Sequence, residues 1–351
     1  MENNFLEGKR VIFIGQVFYD YHEKIITQLK EFGAIVDFFE NKIFKEDPVI
    51  SKGYIGFIRR LLNSKYKEKY VEQILKNASK YAYDYLLCVG GFSITPELLT
   101  KLRKCSPQIK CIIYFWDSFS IWNYKDIYPL FDNSFSFDPV DCEIHSCLTY
   151  LPLFYTNEYR VTSELNTDID LLYVGSVGAA TINRCTLLGE IENIARNKSL
   201  KTYFWVYYPL EKSLLKVITT KIRLFLSSKN HYLNTVDKFK NTNNSFIKHT
   251  TLNRQQIASL LERSKCVIDI PITNQAGLTI RTIETLAMGK KLLTTNRHIE
   301  KEFFFNNKMI EVLYNPINID ADFIAAENEK VDLTQLMIGN WVKTLFKGDC
   351  V

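Results

Sequence analysis

Short apolar runs recur along this chain, separated by longer stretches whose apolar residues return at helical spacing. In the first half, Arg10–Gly15, Ile35–Phe39, Tyr85–Gly90, Cys111–Phe115, Ser134–Phe137 and Leu148–Leu151 are the predicted strands. Between them, His22–Phe32, Lys52–Lys80, Pro96–Lys104 and Lys125–Phe131 are the predicted helices. The polar stretch Thr156–Asp168 reads as a linker. A second alternation follows, with strands at Leu171–Gly175, Thr202–Tyr207, Ser245–Lys248, Cys266–Ile270, Lys291–Thr295 and Met309–Leu313. Its helices are Ile182–Arg196, Leu210–Leu226, Arg254–Ser264 and Thr279–Met288, and a last helix, Leu333–Phe346, starts behind Asp332 as a candidate N-cap. Short apolar strands alternating with helices imply α/β architecture with largely parallel sheets covered on both faces.

The segment Asn274–Asn296, reading NQAGLTIRTIETLAMGKKLLTTN, carries the most specific chemistry. A strand leads into a loop containing Gly277, then a helix closed by Gly289, then another strand. The loop therefore faces a helix N-terminus, where backbone N–H groups and the helix dipole favour an anion. Thr279 and Arg281 lie at the start of that helix, and Glu284 is on about the same face as Arg281. A guanidinium for phosphate oxygens and a carboxylate for sugar hydroxyls suit a nucleotide diphosphate. The same residues also fit an ordinary crossover with a surface Arg–Glu pair.

The pattern R-x-x-E-x-L-A-x-G-x-x-L-L-T over Arg281–Thr294 resembles the nucleotide-sugar motif of bacterial glycosyltransferases of the GT-B architecture. The nearest resemblance is to the spore-maturation-type branch and its relatives in lipopolysaccharide and capsule gene clusters. The resemblance implies two Rossmann-like domains facing each other across a cleft: an acceptor domain over 1–160 and a nucleotide-sugar domain over 168–330. A C-terminal helix in 331–351 would pack back on the first domain. It also implies that Glu284 holds the donor ribose. The family's first glutamate falls on Ala276, so that half of the motif is missing.

Ligands of open α/β sheets bind beyond the carboxyl ends of the strands, which selects the loops to inspect. Gly15 ends the first strand, and Asp20 or His22 behind it can act as general base, although a residue at a helix start needs no such role. Gly90–Gly91 ends the third strand as a tight turn, with Ser93 or Thr95 available to cap the next helix. Asp117, in Trp116–Asp117–Ser118 after the fourth strand, is the preferred functional residue of the first half, framed by Phe115, Trp116 and Phe119; simple capping of a turn is its alternative. This run, with Phe137–Pro139 and Leu151–Tyr155, resembles the capsule-cluster relatives. Gly175–Ser176 with Gly178 and Arg184 resembles the family's Gly-Ser turn and suits a pyrophosphate. Its spacing is not the dinucleotide fingerprint, so no NAD is expected. Asp168–Ile169–Asp170 resembles a metal-binding D-x-D motif, but it precedes its strand and reads as solvated linker; no metal is expected.

At 351 residues the length fits about two domains. Net charge is +5, unevenly placed: eight Lys/Arg lie in Lys52–Lys80 and five in Pro209–Lys229. Both stretches combine this charge with apolar positions, which suits either an anionic membrane surface or a solvated helix packed on a core. No nucleic-acid motif accompanies the charge. No run is long and apolar enough to span a membrane, and no signal-peptide layout is present, so a cytoplasmic protein is expected. The eight cysteines show no disulfide framework, and Cys142, His145 and Cys147 match no closed zinc spacing.

The leading expectation is a metal-independent glycosyltransferase. It would move sugar from a UDP- or GDP-linked donor to a surface-polysaccharide or lipid-linked acceptor and need no cofactor. A nucleotide-sugar epimerase, and a lapsed relative that binds glycan or membrane as a scaffold, are the alternatives.

Overall fold

The computed structural model describes residues 4–41, 54–160, 167–178, 181, 183–208, 238–239, 241, 245–272 and 275–348, with backbone alone over 54–65. The chain divides into two compact units, one of Met1–Leu153 with Gln335–Val351 and one of Phe154–Thr334.

The first unit holds a six-stranded sheet. Its strands are β1 (Arg10–Gly15), β2 (Ile35–Glu40), β3 (Tyr85–Val89), β4 (Lys110–Phe115), β5 (Asn133–Ser136) and β6 (Thr149–Tyr150). They run parallel throughout, in the order β2-β1-β3-β4-β5-β6. Successive side chains of a strand alternate between faces, so each strand feeds two cores. Ile12, Ile14, Leu86, Cys88, Cys111 and Ile113 pack with Ile74 of α2 (Tyr54–Ala78) and Leu98, Leu99 and Leu102 of α3 (Pro96–Cys105). The opposite face receives α1 (Tyr21–Glu31) and the chain's last helix. The ring of Trp341, in that helix, lies 4.8 Å from Tyr114 of β4, and its Nε1 donates to the Pro152 carbonyl at 3.1 Å.

The second unit is also a six-stranded parallel sheet. It is formed by β7 (Ile169–Ser176), β8 (Thr202–Tyr207), β9 (Ile247–Lys248), β10 (Ser264–Asp269), β11 (Lys291–Thr294) and β12 (Ile310–Val312). Their order, β12-β11-β10-β7-β8-β9, is the 3-2-1-4-5-6 order of a dinucleotide-binding sheet. One face carries Cys185, Leu188 and Ile191 of α5 (Asn183–Asn197), packed on Leu171, Tyr173 and Ile268. The other buries Ile257 and Leu261 of α6 (Arg254–Glu262) against Leu172 and Val267. The helix after β10, α7 (Ile280–Ala287), is followed by Gly289 at φ 65°, a left-handed position that suits glycine.

Several predicted elements differ in detail. Over Lys125–Phe131 only a single 3-10 turn forms, Tyr128–Leu130, because Pro129 has no N–H to continue a helix. A short helix, α4 (Pro139–Ile144), appears where none was predicted, capped by Asp138. A further short helix is α8 (Ala321–Ala325). The last helix, α9, runs Ile338–Lys347; Asp332 instead caps the preceding 3-10 turn by accepting from Thr334 N at 3.0 Å. Asp168 and Asp170 are not a solvated pair. Asp168 is salt-bridged to Arg263, and Asp170, inside β7, lies 2.8 Å from Lys265 Nζ, at the sheet edge away from the ligand side. The predicted helix Leu210–Leu226 and the apolar side chains Tyr54–Leu62 lie outside the described residues and side chains. Among the described residues, no helix is long and apolar enough to cross a membrane.

Candidate functional site

In the second unit the chain leaves β7 toward β8 on one side and β10 toward β11 on the other. The ends of β7 and β10 therefore border a topological switch point, where an α/β sheet opens a crevice for ligand. Gly175 and Ser176 end β7. A Cβ on Gly175 would come within 2.7 Å of the Tyr173 ring, which leans along the strand and covers the glycine. Burial pushes the Tyr173 hydroxyl up to about 12, so it stays protonated beside this turn.

Arg184 spans the switch point. Its Nη1 donates to Ser176 O at 2.9 Å and its Nε to Ile270 O at 2.6 Å, so one guanidinium joins the two strand ends. A guanidinium held by backbone carbonyls is a fixed positive charge, since its planar fork cannot rotate without losing both bonds.

Asp269, the last residue of β10, is buried and organises the start of α7. Its Oδ2 accepts from Thr279 Oγ1 at 2.9 Å and from Thr282 Oγ1 at 2.8 Å. Thr279 in turn is the N-cap of α7, accepting from Thr282 N at 3.3 Å. Burial raises the Asp269 carboxyl above the usual range; the two hydroxyls and the charges of Arg184 and Arg281 oppose that shift. The loop before α7 is pinned from the far side by Asn296, whose Nδ2 donates to the carbonyls of Ala276 at 2.9 Å and Gly277 at 3.3 Å.

Arg281 and Glu284 face each other, with Nη1 and Oε2 2.7 Å apart; Glu284 is fully buried and Arg281 is 14% exposed. The pair is also electrostatically coupled to Tyr159, in the 3-10 turn Asn157–Tyr159 that packs against α7. Arg254 stacks over the Tyr159 ring at 5.3 Å and donates to Thr156. The predicted second-unit residues thus gather in two places: Gly175, Ser176 and Arg184 at the switch point, and Gly277, Thr279, Arg281 and Glu284 around the start of α7. Asp269 connects the two.

In the first unit the switch point lies between β1 and β3. Gly15 is covered by Phe13 as Gly175 is by Tyr173: an added Cβ would meet the Phe13 ring at 2.6 Å. Gly90 and Gly91 take φ of 103° and 81°, which a side chain would strain. Asn41, at the end of β2, staples this edge. Its backbone N–H donates to Gly15 O at 2.7 Å, its Nδ2 to Val89 O at 3.0 Å, and its Oδ1 accepts from Ser93 N at 2.9 Å. Ser93 is thereby engaged, and Thr95 caps α3.

Asp117 follows β4. Burial pushes its carboxyl up to about 6, and its nearest charged relation is the buried Tyr124 hydroxyl. The turn that carries it is fixed by Asp141 of α4, whose Oδ2 accepts from Phe119 N at 2.8 Å and whose Oδ1 lies 3.5 Å from Ser118 Oγ. Burial also raises Asp141 to about 6. His22 is buried under α1 with its ring 5.3 Å from Phe38, a core-like position; Asp20 directly precedes α1 without a side-chain capping bond. His145 packs on Phe119 and Tyr128. Among the described residues no group of three His, Cys, Asp or Glu side chains can hold a metal.

Asn41, Asp141, Asp269 and Asn296 were absent from the sequence-based set. Only Asp269 left a local signal, a carboxylate ending an otherwise apolar strand.

No protein-family model matches the chain, and no curated protein does. Solved structures share its fold. UDP-GlcNAc 2-epimerase from Methanocaldococcus jannaschii superposes with a TM-score of 0.50 at 13% identity, covering 97% of this chain and 100% of that one. A structure described as trehalose-6-phosphate from E. coli bound with UDP-2-fluoro glucose gives 0.53 at 9% identity, covering 97% and 96%. An alpha,alpha-trehalose-phosphate synthase (UDP-forming) from Burkholderia vietnamiensis gives 0.53 at 8%, covering 96% and 91%. At these identities the likeness establishes the fold: two Rossmann-like units of the GT-B type.

Proposed function

We propose that this chain is a glycosyltransferase that moves a sugar from a nucleotide-sugar donor, UDP- or GDP-linked, to a hydroxyl of a glycan or lipid-linked acceptor. The observation that carries the reading is the switch point of the second unit, where Gly175–Ser176, Arg184 and the capped start of α7 converge. Such an edge offers backbone N–H groups, a helix dipole and fixed cations to a diphosphate. Fold neighbours named for UDP-sugars support the nucleotide sugar as ligand. The motif Arg281–Thr294 supports a surface-polysaccharide acceptor of the lipopolysaccharide or capsule kind. The basic stretches Lys52–Lys80 and Pro209–Lys229 support work at an anionic membrane face.

In this reading the acceptor oxygen bonds to the anomeric carbon of the donor as that carbon's bond to the phosphate oxygen breaks. The nucleoside diphosphate leaves with the electron pair, and Arg184 and Arg281 offset its charge, with no metal in the step. Glu284 orients Arg281 and reaches the ribose only if the pair opens. Asp117 takes the hydroxyl proton if the reaction inverts the anomeric centre, ahead of Asp20; a retaining course does not require that base. His22, packed on Phe38, is the weakest of the three as a base.

The test is donor turnover by the purified protein with a panel of UDP- and GDP-sugars, with and without glycan or lipid-linked acceptors. Transfer, or slow donor hydrolysis that Arg281→Ala abolishes, supports the reading. Isomerised donor formed without acceptor would replace it with an epimerase. No donor consumption and no nucleotide binding would leave a scaffold.

A further inference from the structure

The loop between β1 and α1 exposes Val17, Phe18 and Tyr19 at 56%, 50% and 47%. Three consecutive large apolar side chains in water are what a surface avoids unless they meet a ligand. Tyr19 also holds φ at 45°, in the left-handed region that a residue with a Cβ seldom adopts, so the loop is fixed in an unfavourable conformation. The Phe18 ring lies 4.8 Å from Tyr19 and 6.3 Å from Trp116, edge to face in both cases. The aromatic surface of the first loop thus continues onto the residue before Asp117. The Asp117 carboxylate has no hydrogen bond among the described residues, and the buried Tyr124 hydroxyl, its electrostatic neighbour, has none either.

Few ligand types satisfy both halves of this patch. An aliphatic tail would cover the rings but leave a desolvated carboxylate without a partner. A cation would call for a carboxylate stabilised in its charged form, and burial at Asp117 acts in the opposite direction. A pyranose ring offers an apolar C–H face to aromatic rings and hydroxyls along its edge, matching a site with aromatic walls and a few polar groups. We propose that Phe18, Tyr19 and Trp116, with Asp117 at their edge, bind a neutral pyranose residue of the acceptor. This rests on the glycosyltransferase reading for its purpose, and on the first unit alone for its geometry.

The experiment is saturation-transfer difference NMR of the full chain with methyl glycosides of glucose, galactose, mannose, N-acetylglucosamine and rhamnose. At least one should receive saturation, strongest at the ring C–H protons of one face. The signal should be lost in Phe18→Ser, which removes an exposed ring and should retain the wild-type Tm, and in Trp116→Ala. Asp117→Asn should weaken binding without abolishing the ring-face pattern. No saturation with any glycoside, or signals that Phe18→Ser leaves intact, would overturn the proposal. Nucleotide-induced thermal shifts of the unsubstituted protein are recorded in parallel. Their absence beside Phe18-dependent glycoside binding would remove the transferase reading and leave the sugar site standing.

Discussion

The guanidinium of Arg281 and the carboxylate of Glu284 lie 2.7 Å apart at the start of α7, with the carboxylate fully buried. A buried charge is tolerated only with its partner, so removing either side leaves an orphan that costs about 3–5 kcal/mol. Arg281→Ala should therefore lower stability by more than a surface substitution. The double variant Arg281→Ala/Glu284→Ala should lose less than the sum of the single losses, with a coupling of about 1 kcal/mol or more. Denaturant titrations of the four proteins check this; strictly additive losses would mean that the pair does not act as a unit.

Arg184 ties the end of β7 to the end of β10 through two carbonyls. Lysine cannot present two donors in a fixed plane, so Arg184→Lys should behave nearly as badly as Arg184→Ala. Each should reduce donor turnover by about tenfold or more, equivalent to roughly 1.4 kcal/mol of transition-state stabilisation. Full rescue by lysine in a turnover assay would show that charge alone matters there.

Asp117 sets a pH dependence whose sign can be worked out. Its folded carboxyl is raised to about 6, so between the ordinary carboxylate range and that value the folded chain keeps a proton that the unfolded chain has released. Stability contributed by this group is thus full at low pH and is lost as pH rises through the window. Asp117→Asn should raise Tm at pH 7 relative to wild type, by an amount that shrinks toward pH 4. If Asp117 is the base, turnover rises with pH through about 6 and the variant loses both rate and that limb. A variant that keeps the limb would assign it elsewhere, with Asp141 the next group to test.

Tyr173 over Gly175 and Phe13 over Gly15 fix the first strand of each unit at its ligand edge. Gly175→Ala should destabilise by about 1–3 kcal/mol, as overpacking does, and a second change, Tyr173→Leu, should recover part of the loss. Thermal melts of the single and double variants decide; no recovery would mean that the backbone turn itself excludes alanine.

The alternation of short apolar runs with helical periods made the two parallel sheets legible, because a strand buried on both faces leaves a nearly continuous apolar run. Gly15, Gly175 and the Arg281–Glu284 spacing were legible for the same reason: each depends on neighbours a few residues away. The order of the strands was not, since it is set by which helix crosses which face. Nor were Asn41 and Asn296, whose partners lie 52 and 20 residues along the chain. Asp141 sat in a segment too short to announce a helix, and Tyr128–Leu130 fell short of one because a proline interrupts it. His22 looked free at a helix start, yet its side chain turns toward Phe38 of β2, a contact that only the tertiary fold creates.

The most direct test of the central claim is a thermal-shift panel of the purified protein with UDP, GDP, CDP, ADP, CMP and dTDP. A ligand that binds only the folded state raises its apparent stability. A shift with UDP or GDP that disappears in Arg281→Ala is the predicted result and places the donor at the start of α7. No shift with any nucleotide at concentrations well above millimolar, or a shift that Arg281→Ala and Arg184→Ala both leave unchanged, would contradict it.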